Sequence, residues 1–293
     1  MRIVLFGKNG QVGRALVPLL HPLGEVISLG RRELDLTDAE KLRTILRIYR
    51  PDVVVNASAY TDVDRAEFEK EVAWKVNAEA PGIMMEELDR WKGNLIHFST
   101  DYVFDGIKQD PYVEEDPVNP INEYGRSKLG GERQVRARGD RYLILRTGWV
   151  YAEDSKNFIS TVLHWAATQE ILKIVDDQVG SPTWSRMLAG QTARLLATRT
   201  ISDLVEEKAG IYHCVGSGAV SRYELVSKLL SLLPSHVNVR STVILPAKSS
   251  DFPSPALRPS YSALDCTKFE KAFDVGLPTW ELSLAEALPC FKL

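Results

Sequence analysis

Residues 2–6 (Arg-Ile-Val-Leu-Phe) are a short apolar run, and Gly7-Lys8-Asn9-Gly10-Gln11-Val12-Gly13 follows at once. A buried strand entering a glycine-rich turn and then helical periodicity over 14–20 is the opening of a dinucleotide-binding βαβ unit. Glycines permit the tight turn and let the backbone approach a pyrophosphate, which then sits on the free N–H groups of the helix that follows. Gly7, Gly10, Gln11, Val12 and Gly13 are therefore candidate cofactor contacts.

The pattern continues as such a fold requires. A second strand at 26–29 ends in Gly30-Arg31-Arg32, with no acid before Glu33. An acid at that strand end would suit a ribose 2′-hydroxyl, whereas guanidinium forks suit a 2′-phosphate. Arg31 and Arg32 thus favour NADPH, with NADH left open. A helix is expected over 39–50 and a strand over 53–55, followed by Asn56-Ala57-Ser58-Ala59-Tyr60-Thr61. Its small side chains at Ala57 and Ala59 let a flat cofactor lie near the backbone, and Thr61 offers a hydroxyl. A long helix over 68–91 carries Asn77. Two further strands, 94–98 and 141–146, end in Ser99-Thr100-Asp101 and Thr147-Gly148-Trp149. Hydroxyls at the carboxyl edge of parallel strands lie where open α/β sheets bind ligands.

Tyr124 and Lys128 fall four residues apart on a helix expected over 123–136, so they share one face. A phenol titrates near ~10, and an adjacent ammonium favours the phenolate. The pair therefore reads as a general acid with its tuning cation. Tyr124, Lys128 and Thr100 are the candidate catalytic residues.

Beyond residue 150, strands are expected at 171–175 and 210–215, and helices through 197 and over 221–232. Ser221 and Glu224 have capping-box spacing. Residues 246–261 are a Ser/Pro-rich connection, expected as a loop, either covering the substrate or forming a mobile surface segment. The expected fold is α/β, a Rossmann-like doubly wound parallel sheet with a smaller C-terminal substrate-binding lobe. The nucleotide domain spans 1–150, with a return around 176–209; 151–175 and 210–293 form mainly the lobe.

Composition narrows the function. Among 293 residues, a net charge of −3 leaves no basic footprint for nucleic acid or an anionic membrane. The longest apolar runs fall short of the ~20 residues that span a bilayer, and no signal peptide is expected. Cys214, Cys266 and Cys290 are far apart, which suits a reducing cytoplasm and neither disulfides nor zinc.

Taken together, these motifs resemble the extended short-chain dehydrogenase/reductases that act on nucleotide sugars, and within them the dTDP-4-dehydrorhamnose reductase family. The resemblance rests on 6–13, on 99–106 (Ser-Thr-Asp-Tyr-Val-Phe-Asp-Gly) and on 122–129 (Asn-Glu-Tyr-Gly-Arg-Ser-Lys-Leu). It continues in 146–151, in Asn157-Phe158, in 177–183 (Asp-Gln-Val-Gly-Ser-Pro-Thr) and in Arg258-Pro259 with Ser262 and Leu264-Asp265. It implies NADPH-dependent reduction of the C4 ketone of a dTDP-4-dehydro sugar. Asp35 and Leu36 would lie against the adenine, and Tyr60 and Asn77 among the cofactor contacts. Thr100, Asp101, Tyr124 and Trp149 would meet the sugar, and Arg258 the diphosphate. Gly148 and Tyr60 depart from residues common in the family, Ser and His, without removing a needed group.

The family resemblance leaves a homodimer open, helped in some members by magnesium. The sequence has no compact acidic cluster, so no metal site is expected. Two other readings stay in view: a related epimerase or dehydratase, and a non-catalytic NADP-binding regulatory subunit. Dehydratases usually carry an Asp-Glu pair beside the active-site hydroxyl, where this chain has Asp101-Tyr102.

Overall fold

The computed structural model describes residues 1–198, 200–237 and 239–291. Strands β1 (Arg2–Phe6), β2 (Glu25–Leu29), β3 (Val53–Asn56), β4 (Asn94–Thr100) and β5 (Tyr142–Thr147), with Gly210–His213, form one six-stranded sheet. Every pairing is parallel, in the order Gly210–His213, β5, β4, β3, β1, β2. The chain moves outward from β1 to β2 and then returns to β3 on the other side of β1. A crevice therefore opens at the carboxyl ends of β1 and β3, where such sheets bind ligands.

Period-two alternation explains the two layers of helices. Ile3, Leu5, Val53 and Val55 enter a core shared with Leu16 and Leu20 of helix α1 (Gln11–Leu20) and with Leu188 and Leu195. Val4, Phe6 and Val54 point the opposite way. They pack against Leu42 and Leu46 of helix α2 (Ala39–Tyr49) and against Met84 and Leu88. Strands buried on both faces read as continuous apolar runs, as β1 and β3 do.

Expected and observed elements differ in four places. Helix α1 starts at Gln11, because Gly10 is extended and caps it directly. The helix expected over 68–91 is three consecutive pieces, Lys70–Trp74, a π-helical turn Lys75–Glu79 and Ala80–Asp89. Pro81 has no N–H to return to residue 77, and the ladder widens there. The return to the nucleotide domain extends past 209, since Gly210–His213 pairs with β5 as an edge strand of the sheet. Residues 246 and 247 belong to a strand, Val243–Ala247, and not to a loop.

The lobe has its own core. Ile171–Val175 pairs in parallel with Val243–Ala247. Leu172 and Ile174 pack with Ile159, Val162, Leu225 and Leu229 from helices Phe158–Thr168 and Arg222–Ser231. The segment after Val243–Ala247 crosses back to the nucleotide domain. There the Ala256 N–H donates to Asp64 Oδ1 (3.2 Å), and Asn122 Nδ2 donates to the Leu257 carbonyl (2.8 Å). Among the described residues, no helix is long and apolar enough to cross a membrane.

Candidate active site

One cavity of about 690 Å3 runs along the carboxyl edge of the sheet, from the glycine turn to Trp149 and Arg222. The glycine turn builds one end. Gly7 has φ +87°, and a Cβ there would stand 2.6 Å from the Ala57 backbone. On Gly13 a Cβ would lie 2.0 Å from the Gly7 carbonyl, so Gly13 seats α1 under the turn and does not reach the cavity. Gly10 supplies no side-chain cap, which leaves the first N–H groups of α1 aimed at the cavity. Gly7, Gly10, Gln11 and Val12 line it.

At the β2 end, Glu33 folds back. It accepts the Gly30 N–H (2.8 Å) and pairs with Lys8 (2.8 Å), which hold its carboxylate below the usual range. Glu33 is therefore engaged, and Arg31 stands open: it lines the cavity 85% exposed, within 3.5 Å of Asp35. Asp35 and Leu36 line the same end, whereas Arg32 is exposed outside the cavity wall.

Ala57, Ala59, Tyr60 and Thr61 form the adjoining wall. Asn77, expected as a cofactor contact, lies behind it, only 1% exposed. Its Oδ1 accepts the Tyr60 N–H (2.8 Å); its Nδ2 donates to the Tyr60 carbonyl (3.0 Å) and to Ser127 Oγ (2.9 Å). The π-helical turn brings it there, and Asn77 ties the loop to the helix Glu123–Arg136. Replacing Asn77 with alanine strands both polar groups of Tyr60. A loss of about 1–3 kcal/mol in stability is expected, together with a higher Kd for NADPH. Denaturant melts and NADPH titration measure both. An unchanged Kd would limit Asn77 to stability alone.

Thr100, Tyr124 and Lys128 meet on the far wall. Asn122 caps their helix by accepting the Gly125 N–H (2.7 Å). The Thr100 hydroxyl donates to Asp101 Oδ1 (3.0 Å) and accepts the Tyr102 N–H (3.2 Å). The expected effect of Lys128 on Tyr124 is not seen. Burial pushes the Tyr124 phenol well above its ordinary value; the Thr100 hydroxyl opposes the rise, and Asp101 and Tyr102 add to it. Lys128 instead donates to the Phe98 carbonyl (2.6 Å). Burial lowers the Lys128 amine to about 8, with Glu132 pulling the other way.

Behind Lys128 the protonation pattern is fixed by neighbours. Asn56 Oδ1 accepts from the N–H (3.2 Å) and hydroxyl (2.5 Å) of Ser58, so its Nδ2 donates to His97 Nδ1 (3.0 Å). Burial and Lys128 hold His97 neutral, which leaves its Nε2–H facing the amine at 3.5 Å. Deeper still, Glu132 takes Arg146 in a two-point pair (2.9 and 2.8 Å) and accepts from Ser99 Oγ (2.6 Å).

Asp101 is 2% exposed, and burial raises its carboxyl to about 6 although Ser262 (2.6 Å) and Thr100 donate to it. Trp149 has φ +43°, a left-handed conformation that bulky residues rarely adopt. Its indole lies against Gly180, where a Cβ would stand 2.4 Å away. Arg258 does not reach the cavity wall, because Asp64 holds its guanidinium at 2.8 and 3.1 Å. Arg222 and Lys156, which the sequence reading did not single out, do line it. Arg222 is nearly a hundred residues from the Tyr124 helix, and only the folded lobe brings it there.

Among the described residues, no group of three or more His, Cys, Asp and Glu could hold a metal ion.

A model of the RmlD substrate binding domain matches residues 1–292. A dTDP-4-dehydrorhamnose reductase of Burkholderia thailandensis is 41% identical over 97% of each chain. Among solved structures, a dTDP-4-dehydrorhamnose reductase of Clostridium acetobutylicum superposes with a TM-score of 0.89 at 34% identity over 99% of each chain. The same enzyme from Bacillus anthracis, in complex with NADP, gives 0.89 at 30% identity over 98% of each.

Proposed function

The chain belongs to the RmlD substrate binding domain family, and we propose on that footing that it reduces the C4 ketone of dTDP-4-dehydro-L-rhamnose with NADPH, giving dTDP-L-rhamnose. The near-complete match to reductases of that name carries the reading. A nucleotide cradle and a tyrosine–threonine–lysine wall in one cavity support it.

The cradle suits a nicotinamide dinucleotide. A Cβ at Gly7 would fill the close approach, and the start of α1 offers free N–H groups to a pyrophosphate. Gly10, Gln11 and Val12 would hold that pyrophosphate, Arg31 the 2′-phosphate, and Asp35 and Leu36 the adenine end. Ala57, Ala59, Tyr60 and Thr61 would flank the rest, with Lys128 on the nicotinamide ribose. Bound there, the reduced nicotinamide supplies hydride. Tyr124 holds the proton destined for the ketone oxygen, and burial keeps it on the phenol until negative charge develops nearby. Thr100 gives that oxygen a second donor once its hydroxyl turns from Asp101 Oδ1 to the ketone. Asp101 and Trp149 meet the sugar.

NADPH consumption on mixing with dTDP-4-dehydro-L-rhamnose tests the reading, with appearance of dTDP-L-rhamnose as the product. Folded protein that binds NADPH but leaves this ketone untouched would be a reductase of another nucleotide sugar, an epimerase or dehydratase, or the regulatory kind. The family resemblance leaves a homodimer open, the scattered cysteines suit a cytoplasmic setting, and no step of the chemistry depends on either.

A further inference from the structure

The lobe side of the cavity holds a guanidinium with no counter-ion. Arg222 stacks over the Trp149 ring at 4.1 Å and over the Phe158 ring at 4.5 Å. Its Nε donates to Gln178 Oε1 (3.0 Å), and the Tyr102 hydroxyl lies beside the guanidinium. Both partners are neutral. No ion pair of Arg222 is present among the described residues, although most arginines near the cavity are paired: Arg258 with Asp64, Arg14 with Asp154, Arg186 with Glu153.

The acid whose charge acts on it, Asp101, is already taken by Ser262 and Thr100. A half-buried cation needs compensation, and two aromatic faces supply only part of it. Burial accordingly weakens the hold of Arg222 on its proton.

Its place is also telling. Arg222 lines the main cavity and the smaller one of about 320 Å3 beside it, which adds Asn157, Phe158, Pro182 and Leu225. Lys156 stands exposed on the rim of both. The helix behind Arg222 does not attract anions by itself. Ser221 and Glu224 cap each other and occupy its first N–H groups. What faces the cavity is side-chain charge.

We infer that Arg222, seated on Trp149 and assisted by the Tyr102 hydroxyl, is the anchor for the diphosphate of the nucleotide sugar. This rests on the reductase reading and gives Arg222 the part first expected of Arg258. A planar five-donor fork suits two linked phosphates. Held flat by two rings, it loses little side-chain freedom on binding, and the phosphates supply the missing counter-charge.

The test is calorimetric titration of the NADPH-loaded protein with dTDP and, separately, with inorganic pyrophosphate. Arg222→Gln is expected to weaken dTDP about 10- to 100-fold, as loss of a charge-assisted contact does. Arg222→Lys keeps the charge but loses the fork, so an intermediate loss is expected. NADPH affinity should stay within about twofold, and an unchanged Tm and near-UV circular dichroism spectrum show that the lobe is folded in both variants. Unchanged dTDP and pyrophosphate affinity in both variants would overturn the assignment, as would wild type that binds neither. Wild type that binds pyrophosphate through Arg222 but ignores dTDP would keep the anion site and remove the dTDP-sugar reading.

Discussion

Replacing Tyr124 with phenylalanine is expected to lower kcat by about 10^2- to 10^4-fold, the usual worth of a positioned general acid. NADPH affinity should barely change, because the ring remains to pack edge-on against Tyr102 at 6.0 Å. The physical ground is the state of the phenol. Burial raises it well above its ordinary value, so Tyr124 carries its proton through neutral and mildly alkaline pH. Loss of activity in alkali therefore reports another group. Lys128, whose amine burial lowers to about 8, is placed to be that group. As pH rises through that value the amine loses its charge, and kcat/KM should fall there in wild type. Stopped-flow NADPH oxidation across pH, for wild type and variant, measures both effects. Undiminished turnover by Tyr124→Phe would remove the phenol from the chemistry.

Glu132→Ala should be the most destabilising single change near the site, by about 3–5 kcal/mol. Both side chains of the Glu132–Arg146 pair are nearly inaccessible, at 2% and 3%. The pair itself is weak evidence for net stability, since two charges had to leave water. Removing one partner is different: the Arg146 guanidinium is then left buried without its carboxylate, and its Nη1 already lacks a hydrogen-bond acceptor. Ser99 loses its acceptor as well. A fall in Tm of roughly 5–15 °C is expected by differential scanning calorimetry. Adding Arg146→Met removes the orphaned charge and should recover much of the loss. A double variant as unstable as the single one would refute this account.

The elements that could be read from the chain were those whose physics is local. The short apolar runs of β1 and β3, glycine spacing in the first turn and the four-residue offset of Tyr124 and Lys128 all act within one or two turns of chain. Glu123–Arg136 falls where its pattern places it. What escaped depends on contacts made at long range. Lys128 was expected to depress Tyr124, but spacing along a helix says nothing about the Phe98 carbonyl that takes the amine. Asn77 faces Tyr60 and Ser127 because a π-helical turn rotates it, and only Pro81 hinted at that widening. Arg258 stays off the cavity wall because Asp64, far away in sequence, captures it, and Arg222, which carried no expectation, lines that wall instead. An arginine that follows a capping serine looks like any helix start.

Asp101 sets the two demands of the molecule against each other. Its carboxyl is shifted upward on folding, from an ordinary value near ~3.9 to about 6. The native state therefore holds this proton more tightly than the unfolded chain does. The resulting gain in folding free energy is fully present below pH ~3.9 and is lost as pH rises through 6. Most perturbed carboxylates here, such as Asp64 beside Arg258 and Glu87 beside Arg47, are shifted the other way and are lost as supports on acidification. At neutral pH the fold thus carries a standing electrostatic penalty at the residue next to Thr100. Mild acid would relieve that local penalty while weakening the ion pairs that hold the rest of the molecule together.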